Sequence, residues 1–152
     1  MSANASPLDT LIELAQGSRD QAGQALASER HNEQQVAGQL EALHQYRLEY
    51  AQKLQQAMSE GIDPASMRNY QQFLDSLDAA LARAQQALKA QQQRVSQRQT
   101  QWQQEQRRLS SYDTLAARRQ QEQRRHEARQ ELRLNDDLVN GRLARARYAS
   151  DI

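Results

Sequence analysis

Apolar side chains recur along this chain in alternating steps of four and three residues, first from Ala22 through Leu26, Val36, Leu40, Leu43, Tyr50 and Leu54 to Ala57. A period of 3.5 residues is the signature of a coiled-coil seam, here interrupted where Glu29 and Glu33 take seam positions. A second seam with the same period runs from Met67 and Tyr70 through Leu74, Leu77, Leu81, Leu88, Val95 and Trp102 to Leu109 and Tyr112. Sustained over about six heptads, such a pattern implies a left-handed supercoil of long helices.

Local signals bound these helices. In "SPLDTLIELA" Ser6 is placed to cap a helix, Pro7 suits its first position, and Asp9 falls where a carboxylate meets free amides and the positive helix end. In "EGIDPASM" Gly61 suits the left-handed conformation that ends a helix, Asp63 can cap the next, Pro64 fits its first turn, and Ile62 is placed to plug the apex. These signals predict helices from Pro7 to Glu60 and from Pro64 to about Arg133, with a turn at residues 61–64. A flexible N-terminus is expected over residues 1–6. Beyond the hairpin of residues 7–133, a loosely ordered tail is expected over 134–152, where Asn140-Gly141 reads as a helix end.

So short a link does not permit a parallel return, and the fold class follows: all-α, a long two-helix antiparallel coiled-coil hairpin. Paired residue numbers should sum to about 125 in this geometry. That register sets Leu43 against Leu81, Val36 against Leu88, and Trp102 against the small pair Ala22 and Gly23. The paired part would be about 80 Å long, with the second helix overhanging the first beyond residue 118 or so. Gln91, Arg98 and Glu105 take seam positions that favour apolar side chains, so the distal half is expected to be weaker and to fray toward the chain ends.

Composition sharpens this picture. A mean hydropathy of −1.03, one Phe and 27 Gln leave too little apolar material for an ordinary globular core, while 23 Ala and only two Pro favour helix over disorder. No cysteine is present, which removes disulfides and thiolate metal sites and agrees with a reducing compartment. No apolar run reaches the roughly 18 residues of a membrane span, and no secretory signal opens the chain, so the cytoplasm is the expected location. The net charge of +1 hides a gradient: residues 1–60 carry four basic and eight acidic side chains, whereas residues 61–152 carry sixteen and eleven. One arm is acidic and the other basic, which favours antiparallel pairing and leaves a basic distal end for a partner.

Catalytic chemistry finds little footing. His31, His44 and His126 are far apart and are not brought together by the register, so no metal site is expected. Acid pairs such as Asp75 with Asp78, and Asp136 with Asp137, lack the concave, water-excluding pocket that would tune them, and capping or solubility explains them better. No phosphate loop or nucleophile constellation occurs, and neither enzyme activity nor a cofactor is expected. Residues 94–133 hold ten Arg and five acids, but the two are interleaved, which argues for docking on an acidic protein surface rather than for nucleic-acid binding.

Of seven aromatic residues, Tyr46, Tyr50, Tyr70 and Phe73 lie within fifteen residues of the turn. Tyr50 and Tyr70 fall on the seam and read as core. Tyr46 and Phe73 fall one step off it, on flanks that a two-helix coil leaves partly exposed, and mark a candidate protein-binding surface.

The order "LEALHQYRLEY", a Gly-containing tip, "YQQFLDSLDAAL", Trp102 and then "YDTLAARRQQE" resembles the FliJ family, small coiled-coil proteins of the bacterial flagellar type III export apparatus, over about residues 8–133. The resemblance implies an antiparallel coil like the central stalk of rotary ATPases. It implies contact with the export ATPase hexamer and with the cytoplasmic linker of the large export-gate membrane protein, a general chaperone role or escort of export chaperones, and peripheral association with the inner membrane at the flagellar base. Carried onto matching positions, the family's gate-binding surface falls on Gln39, Leu43, Tyr46, Tyr50, Phe73, Leu77 and Ala80. Ala84 departs from relatives that carry a polar or histidine side chain there. Combined with the overhang and the charge gradient, the stalk resemblance points to Arg118, Arg119, Arg124 and Arg125 for contact with the ATPase ring. The competing reading is a structural or scaffold coiled coil, for which Tyr46 and Phe73 would be dispensable.

Overall fold

The computed structural model describes residues 6–150; the expected flexible N-terminus, apart from Ser6, lies outside them. Two helices account for nearly all of the described chain: α1, Pro7–Glu60, and α2, Pro64–Ser150. Both ends of α1 and the start of α2 follow from local chemistry. Ser6 Oγ accepts a hydrogen bond from the Asp9 amide at 3.3 Å, and Asp9 Oδ2 accepts one from the Ser6 amide at 3.2 Å. This reciprocal pair satisfies amides that the first helical turn leaves free. At the other end Gly61 takes a φ of +92°, in the left-handed region, so α1 stops and the chain reverses. Asp63 then starts α2 by accepting the Ser66 amide at 3.4 Å, and hydrogen bonding from Ser66 holds its carboxyl below the usual aspartate range.

Gly61 therefore supports a prediction with an internal control. A Cβ added there meets nothing within 4 Å, so Gly61→Ala carries only the backbone cost of the left-handed conformation, about 1 kcal/mol or more of stability. Gly17 also has open space around it but lies inside α1 without a positive φ. Gly17→Ala should therefore stabilise by up to about 1 kcal/mol. Urea melts of the two variants should shift in opposite directions; equal shifts would refute this account of the turn.

The chain divides into two compact units. Gln16–Gln106 forms the first, a helical hairpin closed by the turn. Its seam buries Leu26, Leu77 and Leu81, with Val36, Leu40, Leu43, Tyr50, Leu88 and Val95 half-buried around them. Burial is partial because two helices expose much of each other's flanks, so this core is a stripe rather than a centre. Contacting pairs match the antiparallel register: Arg47 bonds Asp78, and a Cβ on Gly23 would stand 3.4 Å from Trp102 Nε1. Gln91 and Glu29 qualify the expectation of weak seam positions. Gln91 is only 6% exposed and donates its side-chain amide to the Glu29 carbonyl at 3.0 Å and to the Glu29 carboxylate. Two polar interruptions, one from each helix, thus satisfy each other, as a buried polar group must.

The second unit joins α1 through Ala15 with α2 from Arg107 onward. Leu8, Ala15 and Leu109 are buried in it. From Ala117 to Ser150 every residue of α2 is exposed. The helix end expected near Arg133 is corrected here, because α2 continues through Asn135 and Asn140-Gly141 to Ser150. No proline follows Pro64, Gly141 has no positive φ, and the Leu, Ala and Arg around it are strong helix formers. One Gly raises the local cost by about 1 kcal/mol but imposes no stop on a helix already propagating.

Candidate functional site

The aromatic residues near the turn come together from both helices. On α1, Gln39, Leu43, Tyr46 and Tyr50 follow steps of four, three and four, which place them along one face; on α2, Phe73, Leu77 and Ala80 do the same. Tyr46 meets Phe73 edge to face, with ring centroids 6.0 Å apart and planes at 67°. Tyr50 lies 4.2 Å from Phe73 and 5.2 Å from Tyr70, both in tilted arrangements. The four rings form a continuous cluster across the hairpin, in geometries that the quadrupoles of aromatic rings favour.

Burial sorts the cluster. Tyr46 is 50% exposed, Gln39 is exposed, and Phe73, Leu43, Tyr50 and Ala80 are half-buried. Leu77 is buried, so it supports the surface from below. A simple sum of 125 would put Tyr46 near Leu77 to Ala80, but its ring partner is Phe73, about one to two turns closer to the tip. Seam residues show the same shift, since Glu29 meets Gln91 and Tyr50 meets Tyr70: side chains of interlocking helices sit between residues of the partner, so each has neighbours on the tip side of the one opposite it.

Arg47 and Asp78 join the helices one residue along from Tyr46 and from Leu77. Arg47 Nη2 lies 3.3 Å from Asp78 Oδ2, and Nε bonds the other carboxylate oxygen. This hydrogen-bonded pair holds the Asp78 carboxyl below its usual range and raises the already basic Arg47 further. Both side chains remain solvated, so the pair contributes orientation more than stability. Sequence reasoning passed over it, although the register already placed the two residues opposite each other.

Arg118, Arg119, Arg124 and Arg125 are all exposed on α2. Arg118 and Arg125, seven residues apart, share a face, whereas Arg119 and Arg124 point to other sides. They surround the helix instead of forming one stripe. Among the described residues no group of three or more His, Cys, Asp or Glu is arranged to hold a metal ion, and no helix is long and apolar enough to cross a membrane.

The flagellar FliJ protein family matches this chain over residues 4–147. The flagellar FliJ protein of Escherichia coli (strain K12) is 34% identical over 111 residues, covering 73% of this chain and 76% of the relative. That of Salmonella typhi is 33% identical over 108 residues, covering 71% and 74%. A match over nearly the whole chain, on a hairpin whose turn and seams have the expected register, establishes that this chain belongs to the flagellar FliJ family, a non-catalytic component of the flagellar export apparatus.

Proposed function

We propose that this chain is a chaperone or escort within the cytoplasmic part of the export apparatus, associated peripherally with the inner membrane at the flagellar base. It contacts the hexameric export ATPase as a central-stalk-like coil and the cytoplasmic linker of the large export-gate protein through the patch beside the turn. One observation carries the reading: Tyr46 and Phe73 meet across two helices, yet half of Tyr46 stays exposed. Neither helix alone builds that surface, and an exposed aromatic on a rigid, thin coil supplies binding area at small entropic cost. The linker is expected to lie over Gln39, Leu43, Tyr46, Tyr50, Phe73 and Ala80, with Leu77 beneath. Calorimetric titration of the full chain with the soluble gate fragment tests this half of the proposal; absence of saturable binding would refute it.

The ATPase half rests on the exposed basic stretch of α2 from Arg118 to Arg125. Arginines on several sides of one helix suit a coil surrounded by a ring better than a coil lying on a flat surface. Charge reversal of Arg118, Arg119, Arg124 and Arg125 should reduce stimulation of ATP hydrolysis several-fold and flatten the salt dependence of binding. Stimulation equal to that of the unaltered chain at matched salt would reduce these arginines to solvated surface.

A further inference from the structure

Away from the turn, the first unit carries a groove of about 490 Å³ that the proposed contacts do not use. Buried Leu26 and the half-buried Trp102 indole give it an apolar side, and Arg30, His31 and Gln99 border it. The indole lies close against Gly23, where a Cβ would stand 3.4 Å from Nε1. Among the described residues no acidic side chain lines the groove.

Arg30 is the informative residue. α1 carries three arginines, and two are matched with carboxylates, Arg19 with Asp20 at 3.0 Å and Arg47 with Asp78. Arg30, like Lys53 of the same helix, has no ion pair among the described residues, and of the two only Arg30 borders the groove. An exposed cation beside an apolar, aromatic-walled groove complements a carboxylate next to an apolar side chain. We propose that the Trp102 groove is a docking site for an acidic peptide segment of a partner protein, with an aliphatic or aromatic side chain entering beside the indole and a neighbouring carboxylate meeting Arg30.

Trp102 is the single tryptophan of the chain, so its fluorescence reads the groove directly. A random peptide display library would be selected on the full-length chain and counter-selected on Arg30→Glu, and the enriched peptide synthesised and titrated while Trp102 emission is followed. Enriched sequences should pair Asp or Glu with Leu, Phe or Trp, and the synthetic peptide, chosen without Trp, should change the emission saturably. Arg30→Glu and Arg30→Gln should each weaken binding by about tenfold or more, whereas Arg94→Glu, bordering a different hollow, should change it by less than about twofold. Circular dichroism checks that each variant keeps its helices. The proposal is overturned if no sequence is enriched, if basic or uncharged sequences are, if a glutamate-only peptide binds as well, or if the Arg30 and Arg94 variants lose affinity equally.

Discussion

Replacing Tyr46 and Phe73 together with alanine is expected to weaken binding to the soluble export-gate fragment by about 2–4 kcal/mol, roughly 30- to 1,000-fold, with helix content little changed. The size follows from the chemistry of the patch. Two rings with centroids 6.0 Å apart are lost, and Tyr50, 4.2 Å from Phe73, loses a neighbour that orients it. Both residues stand beside the seam, so the buried leucines that join the helices stay in place. Tyr50→Ala would be a poorer test, because Tyr50 lies on the seam and packs against Tyr70 as well. The measurement is calorimetry with circular dichroism as the folding control. Unchanged affinity in a normally helical double variant would return the patch to a purely structural role.

Leu81→Ala should cost about 2–4 kcal/mol of folding stability, the range for truncating a buried leucine. Leu81 is only 7% exposed, and the register that joins Arg47 to Asp78 sets it against Leu43. In so thin a core no second layer exists to fill the gap, although water can reach it, which keeps the cost below the largest values seen in globular proteins. Leu143→Ala is the comparison, because Leu143 is 56% exposed and should change stability by no more than about 0.5 kcal/mol. Thermal melts of the two variants decide the matter. Equal losses would mean that the apolar side chains of the distal helix are packed in solution.

Much of the hairpin was legible beforehand because its determinants act over three or four residues. Ser6 with Asp9, and Asp63 with Ser66, are bonded within one turn of helix, and Gly61 needs nothing but its own backbone to end α1. The end of α2 was misread for a related reason. Asn140-Gly141 is a permissive signal, and without a proline or a left-handed glycine nothing stops the helix before Ser150. The candidate patch was legible as a set of residues, through the resemblance and the off-seam positions of Tyr46 and Phe73, but not as a geometry.

Seam, turn and antiparallel direction were therefore determined by the chain of residues alone, since a heptad period and a three-residue link between helices leave little choice of arrangement. Tertiary structure decided which side chains meet, on the seam and beside it. Glu29 and Gln91, 62 residues apart, each looked like a defect and became partners only when the helices met. Arg47 found Asp78 at a separation of 31 residues, and Tyr46 found Phe73 rather than the residue opposite it in a flat register. Trp102 and Arg30 likewise came to border one groove only through the approach of α2 to Gly23. Period specifies which side chains face the partner helix, but which of several staggered neighbours each one meets is set by how the two rows of side chains interlock, and that exists only once both helices are packed.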